Sequence, residues 1–278
     1  LKRYGWKKKH KQKIPMSNIK EIVKENYAGI VKENKSNGCC GPTCCGPEDS
    51  TLTEFSEDYS NLEGYVQDAD FGLGCGIPTS GAGIKEGHTV LDLGSGAGND
   101  VFVARAIVGE TGNVIGVDFT PEMVRKANEN KEKLGFTNVQ FVLGDIESLP
   151  FQEKMVDVVI SNCVLNLVED KRAAYSEVYR VLKTGGHFSI SDVVVTGPLS
   201  KKMQSITELY AGCIGGAIPK EEYLRIIREA GFTNVEVNKE RVISLPEGFL
   251  SNYLTADELE EYRKLRVEIL SITVTGHK

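Results

Sequence analysis

Short apolar runs alternate with amphipathic stretches through the last two thirds of the chain. Thr89–Leu93, Val114–Val117, Val139–Leu143 and Val156–Ile160 are rich in branched apolar residues, as strands buried on both faces are. The stretches between them have helical spacing over Asp100–Val108, Pro121–Leu134 and Asp170–Leu182; the second has proline in its first turn and the third is stopped by Gly185-Gly186. The alternation continues with a strand at His187–Val195, a helix at Pro219–Ala230 closed by Gly231, and a strand at Val235–Ile243. A helix at Ala256–Lys264 then leads to a strand alternating through Val267, Ile269, Ser271 and Thr273. This order predicts an α/β fold, a largely parallel sheet covered by helices on both faces.

The first third reads differently. Ser17 is placed to cap a helix whose apolar residues Ile19, Ile22, Val23, Tyr27, Ile30 and Val31 share one face, turned toward the α/β unit. Residues 36–50, SNGCCGPTCCGPEDS, form a loop by their two Gly-Pro steps, and 71–83, FGLGCGIPTSGAG, form a second glycine-rich loop within an irregular stretch from 51 to 88. No internal repeat is evident, which excludes a solenoid.

Charge changes the picture at one end only. The net charge is −6, yet residues 1–15 hold seven of the 33 basic residues and none of the 39 acids, which leaves the remainder at −13. The first 15 residues are expected to be a non-native or disordered extension ahead of Met16-Ser17, and without an apolar stretch behind them they do not form a signal peptide. The acidic body argues against nucleic acid as a partner, and no apolar run has the roughly 18 residues needed to span a bilayer.

The chemistry begins where the first strand turns into the first helix, at Val90-Leu91-Asp92-Leu93-Gly94-Ser95-Gly96-Ala97-Gly98. A ligand packed against such a turn needs side chains to be absent, and glycine supplies the unusual backbone angles. The spacing is Gly-x-Gly-x-Gly, unlike the Gly-x-Gly-x-x-Gly of dinucleotide enzymes. Asp92 stands just before the turn, Asp118 ends the second strand, and Gly144-Asp145-Ile146-Glu147 follows the third, so three successive strand ends direct polar groups to one crevice. These residues resemble the class I Rossmann-like S-adenosylmethionine methyltransferases. The resemblance implies that Asp92, Gly94, Ser95 and Gly96 hold the methionine end of S-adenosyl-L-methionine and Asp118 its ribose, with Met123, Asp145, Ile146, Glu147 and Asn162 completing the cofactor site.

Seven cysteines without a secretory signal point to thiol chemistry, metal or metalloid binding, or redox sensing rather than to a disulfide framework. Cys163 follows the fourth strand directly, at the lip of the crevice; Cys75 lies between glycines in the second loop, and Cys213 is followed by Ile214-Gly215-Gly216-Ala217. Soft thiolates select soft ions. Trivalent arsenic bonded to three sulfurs is neutral and keeps a lone pair, so thiols could both bind and orient a nucleophile with no separate base, whereas zinc would take four ligands and close the site. Cys163 and Cys213 taken singly read first as small core residues, and CCGPTCCG as a metal site or an exposed segment.

Leu73-Gly74-Cys75-Gly76, the run Asp157 to Leu167 around Asn162-Cys163, and Cys213-Ile214-Gly215-Gly216-Ala217 together resemble the three cysteine motifs of the arsenite methyltransferase family, over about residue 36 to the end. The resemblance implies As(III) held by Cys163, Cys213 and Cys75. One upstream cysteine, Cys44 or Cys45 of the group Cys39, Cys40, Cys44 and Cys45, joins this thiol set, and a disulfide renews reduced arsenic. It further implies arsenic delivered as a glutathione-type thiol conjugate, a thiol reductant such as thioredoxin, and a cytoplasmic monomer in detoxification, with neither nucleic acid nor membrane as partner. The expected organisation is an extension (1–15), an N-terminal helix with Cys-rich loops (16–84), a cofactor domain (85–197), and a C-terminal region (198–278) that completes the sheet and covers the metalloid site. A C- or O-methyltransferase of a small organic acceptor with structural cysteines, and a non-catalytic metalloid-binding sensor, are the alternatives.

Overall fold

The structure, a computed structural model, describes residues 19–36, 56–204, 214–245 and 247–278. Helix α1 spans Ile19–Ser36, and a 3-10 turn, Gln67–Ala69, interrupts the described loops before the sheet. There follow β1 (Thr89–Leu93), α2 (Asn99–Val108), β2 (Asn113–Asp118), α3 (Pro121–Leu134), β3 (Val139–Leu143), β4 (Val156–Asn162), α4 (Lys171–Val181) and β5 (Leu182–Val195). The remainder is α5 (Lys201–Gln204), α6 (Lys220–Glu229), β6 (Thr233–Ile243), α7 (Glu247–Ser251), α8 (Ala256–Leu265) and β7 (Ile269–His277). Ser17, Cys39, Cys40, Cys44, Cys45 and Cys213 lie outside the described residues. No helix among the described residues is long and apolar enough to cross a membrane.

The seven strands form one sheet in the order β3-β2-β1-β4-β5-β7-β6. The first five are parallel, while β7 is antiparallel to both β5 and β6. Adjacent residues of the parallel strands face opposite sides, and both sides are buried. Val90, Val114, Val158 and Ile160 pack with Phe102 of α2, and Leu91, Val117 and Val159 pack with Tyr175 of α4 and Tyr223 of α6. Local signals set the helix ends. Asp170 caps α4 by accepting from the Arg172 and Ala173 amides, and Gly135 closes α3 in the left-handed region at φ 69°.

Two boundaries depart from the periodicity. α4 ends at Val181, and Leu182 is already extended and paired with Val156, so Gly185 and Gly186 belong to an irregular first part of β5 rather than to a helix stop. Arg266 ends α8 at φ 48°, so β7 starts at Ile269 instead of Val267. β7 lies between β5 and β6, and Ser271 and Thr273 are both buried.

Candidate active site

The sheet order reverses between β1 and β4, and the site lies at the carboxyl ends of the strands around that switch point. An open crevice of about 1150 Å3, mouth included, is walled there by the turn after β1, the ends of β2, β3 and β4, Tyr27 of α1 and the 56–74 segment. The turn is fixed through its backbone: the Gly94 and Ser95 amides both donate to the Val117 carbonyl, at 2.8 and 3.0 Å. Gly94 has φ 68°, and a Cβ there would stand 2.4 Å from Val164 Cγ2. Gly96, at φ 52°, differs: its Cβ would meet nothing closer than Met123 Sδ at 4.0 Å, so its bare face borders open space in the crevice.

Carboxylates gather around this turn. Asp118 accepts from the Gly96 amide through Oδ2 (2.9 Å) and from the Thr120 amide through Oδ1 (2.8 Å). Burial raises its pKa against the pull of those bonds. Asp92 is 3% exposed; burial, then the charges of Asp100 and Asp118, push its carboxyl well above the ordinary carboxylate range. Burial likewise pushes Asp100 up to about 6, opposed by hydrogen bonds from Asn162 and Tyr59. Among the described residues none of the three forms an ion pair, and no Lys, Arg or His lines the crevice. Asn99 Oδ1 and Ser95 Oγ are buried there with no hydrogen-bond partner. Buried acids without cations, unpartnered polar atoms and a glycine face beside open space fit a polar ligand carrying positive charge, which is what S-adenosylmethionine is.

Most of the predicted cofactor residues line this crevice: Asp92, Gly94, Ser95, Gly96, Asp118, Met123, Asp145, Ile146 and Asn162. Glu147 does not. Its amide donates to Asp145 Oδ1 and its Oε1 accepts from the Asp170 amide, so it fastens the start of α4 to the β3 loop. Asn162 does more than line the wall. Its Oδ1 accepts from the Cys75 and Gly76 amides at 3.0 and 3.3 Å, and its Nδ2 donates to Asp100, Tyr59 and the Gly76 carbonyl. The Tyr59 hydroxyl lies 2.9 Å from both Asp100 Oδ1 and the Gly76 carbonyl, and burial beside Asp100 raises its pKa.

Cys163 lines the crevice and is 5% exposed; Cys75 is 2% exposed and lies behind the lining, and neither is in a disulfide. They share one apolar cluster with Val23, Leu167, Val193 and Ile214, the residue that follows Cys213 in sequence. Cys163 has φ 61°, with its amide donating to the Ser191 carbonyl at 2.8 Å. Cys213, Cys44 and Cys45 fall outside the described residues, and within those residues no group of three or more His, Cys, Asp or Glu could hold a metal ion. Sequence reasoning missed Tyr59, Asp100 and Phe119. Asp100 had a signal, an acid in the first turn of the helix that follows the glycines; Tyr59, in an irregular stretch, had none.

The methyltransferase-domain family profile matches residues 84–231. The chain is 39% identical over 270 residues to an arsenite methyltransferase of Halobacterium salinarum, covering 93% of this chain and 66% of that protein. It is 34% identical to an arsenite methyltransferase of Aquipseudomonas alcaligenes, covering 83% and 67%. Among solved structures, an arsenic(III) S-adenosylmethionine methyltransferase from Chlamydomonas reinhardtii superimposes with a TM-score of 0.64 at 37% identity, covering 74% of this chain and 67% of that one. The chain thus spans about two thirds of the length of the curated relatives it matches.

Proposed function

Since the chain belongs to the arsenite methyltransferase family, within the wider family of methyltransferase domains, we propose that it methylates trivalent arsenic held by cysteine thiolates. The observation that carries this reading is the place of Cys163: a buried thiol in the wall of the crevice that the glycine turn and the strand-end carboxylates also line. Bound along that turn, S-adenosylmethionine supplies an electrophilic methyl group on a sulfonium and leaves as an uncharged thioether. Asp92, Gly94, Ser95 and Gly96 would hold its methionine end, Asp118 its ribose and Asp145-Ile146 its adenine, with Met123 beneath the turn. The buried carboxylates favour a cationic ligand over a neutral one by relief of their mutual repulsion.

Arsenic arrives as a thiol conjugate. Each incoming cysteine thiol displaces one carrier thiol, and the proton passes from the cysteine to the departing sulfur. Cys163, Cys213 and Cys75 form the receiving set, leaving arsenic neutral with its lone pair free. No side-chain base is then required, in keeping with a wall free of His and Lys among the described residues. Holding the metalloid beside the cofactor turn makes the transfer intramolecular, where positioning supplies most of the gain. Accepting the methyl group takes arsenic from the trivalent to the pentavalent state. Two of the thiolates return it to the trivalent state by giving up two electrons and joining as a disulfide. Cys44 or Cys45 takes part in that exchange, and an external thiol such as thioredoxin reopens the bond.

The test is incubation with S-adenosylmethionine, arsenite and a thiol, followed by chromatographic speciation of the arsenic. Methylated arsenicals are expected, and the single substitutions Cys163→Ser and Cys213→Ser should each abolish them. Undiminished product from either variant would remove that residue from the ligand set, and absence of product from the unaltered chain would sink the proposal.

A further inference from the structure

The face of β5 and β7 beneath the Cys75 loop is lined by hydroxyls. Ser189, Ser191, Ser271 and Thr273 are all at most 6% exposed. Ser191 pairs across the strands with Thr273, and Val193 with Ser271, so the alternation of the two strands puts all four hydroxyl residues on one face. Burying hydroxyls is unfavourable unless each finds a partner, and here each does. Ser271 Oγ donates to the Cys75 carbonyl at 2.7 Å, Ser189 Oγ donates to the Pro78 carbonyl at 2.7 Å, and Ser191 and Thr273 bond to each other at 2.9 Å. Gly76 lies directly on the last pair, for a Cβ there would stand 2.6 Å from Ser191 Oγ.

Cys75 is therefore held from both sides of its own backbone. Asn162 at the end of β4 takes its amide, while Ser271 of β7 and Arg241 Nη2 of β6, at 3.4 Å, reach its carbonyl. None of these partners is a sequence neighbour, and two come from the antiparallel strands added to the parallel sheet. With both flanking peptides fixed, the thiol retains rotation about a single bond, so its sulfur is confined to a few positions.

We infer that the hydroxyl face is a device that positions Cys75 as the third thiol of the metalloid site, with Ser271 as its principal contact. This rests on the proposed As(III) site. Trivalent arsenic makes three bonds, so arsenite engages three thiols, whereas an arsenical already carrying one methyl group has only two bonds left for sulfur. Displacing Cys75 should thus weaken the handling of arsenite and spare that of the monomethyl arsenical.

The experiment compares Ser271→Ala with the unaltered full chain, using arsenite and the trivalent monomethyl arsenical as probes. Calorimetric titration without S-adenosylmethionine should show arsenite affinity lowered about tenfold, the size of one buried hydrogen bond, with monomethyl arsenical affinity unchanged. Arsenic-edge X-ray absorption of the arsenite complex should fall from three sulfur neighbours to two, and kcat/KM should follow the same split between the substrates. Ser189→Ala removes a comparable buried hydroxyl from Pro78 instead, and should leave the ratio of the two affinities unchanged; Ser271→Thr, which keeps the hydroxyl, should restore it. Three sulfur neighbours and an unaltered affinity ratio in Ser271→Ala would overturn the inference. Should that variant not fold, Arg241→Met is measured for the same loss, and an unaltered ratio there overturns it equally. Cys163→Ser separates the two layers: if it binds both arsenicals normally the metalloid site itself is wrong, whereas loss of both with an unaltered Ser271→Ala condemns the positioning role alone.

Discussion

Binding of S-adenosylmethionine should expel protons from the carboxylates around the glycine turn, with Asp100 as the group whose share can be worked out. Asp100 is buried and faces the Tyr59 hydroxyl, the Asn162 amide and the charges of Asp92 and Asp70, with no ion-pair partner among the described residues. Its pKa near 6 in the free protein makes it about half protonated at pH 6. A ligand with an ammonium and a sulfonium favours the ionised carboxylate. If it returns Asp100 to the ordinary value of 3.8, the shift of about two units is worth about 3 kcal/mol, or roughly a hundredfold in affinity. The sign follows from linkage: the free protein holds the extra proton, so the Asp100 share of the affinity rises with pH from about 4 to 6.5 and levels off above. Calorimetry at pH 6 in buffers of different ionisation enthalpy should give at least half a proton released per ligand bound, Asp92 adding to the Asp100 share. Asp100→Asn should lower that number and flatten the pH profile, and its effect on affinity should be largest at pH 7 and above. A binding enthalpy independent of buffer, or an affinity that falls as pH rises from 4 to 6, would refute the cationic-ligand reading of this cluster.

Asp192 of β5 is fully buried and takes the Tyr223 hydroxyl, which in turn receives that of Tyr175; burial pushes its pKa to about 6. A carboxyl raised on folding lowers stability as pH climbs from its unfolded value of 3.8 through 6, so Asp192→Asn should stabilise by up to about 3 kcal/mol at pH 8 and by nothing at pH 3.5, read by urea denaturation. Gly94→Ala forces a Cβ against Val164 at positive φ and should cost about 2–4 kcal/mol. Gly96→Ala meets open space, so it should cost only about 1 kcal/mol yet abolish S-adenosylmethionine binding, a split that thermal melts and calorimetry on both variants would show. Thr255→Ala removes the capping box of α8, in which Thr255 and Glu258 satisfy each other's amides, and should cost about 1 kcal/mol with methylation activity unchanged. Cys163→Gly should leave stability within about 1 kcal/mol of the unaltered chain while abolishing arsenite binding; a larger loss of stability would mark Cys163 as a packing residue.

The parallel half of the fold was legible because its signals are local. Branched apolar runs, Pro121 at a helix start and the glycines at 94, 96 and 98 each act within a few residues, and β1, α3 and β3 fall where the pattern put them. Their convergence also made the carboxylates at strand ends legible, since a parallel sheet brings successive strand ends to one edge. What stayed hidden depends on distant pairing. Nothing local in Leu182 says that it will pair with Val156, and nothing in the alternation of Ser271 and Thr273 says that β7 will lie inside the sheet instead of at its edge. The contacts of Tyr59 and of the Cys75 loop were hidden for the same reason. Their partners Asp100, Asn162 and Ser271 are 41, 87 and 196 residues away, and an irregular segment has no period from which to predict them.

Cys163 has two readings in sequence, a small core residue or a thiol ligand, and its backbone bears on the choice. A non-glycine residue in the left-handed region costs about 1–2 kcal/mol. Burial of a side chain this small returns only about 1 kcal/mol. If packing were its whole role, glycine at φ 61° would serve as well. The strain lies at the carboxyl end of a central strand, one residue after Asn162, which takes the Cys75 amide, and beside Ser191, whose carbonyl takes the Cys163 amide. Asn162 at the end of β4 and Ser191 in β5 thus fix the backbone amides of both described cysteines. Ser191 also lies under Gly76, the residue next to Cys75. An arrangement that fixes two buried thiols from a shared scaffold, and accepts backbone strain at one of them, gives packing little that a glycine and an alanine would not. It supports a site in which the relative placement of the sulfurs is the quantity that matters, and the hydroxyl face beneath Cys75 gives that placement its rigidity.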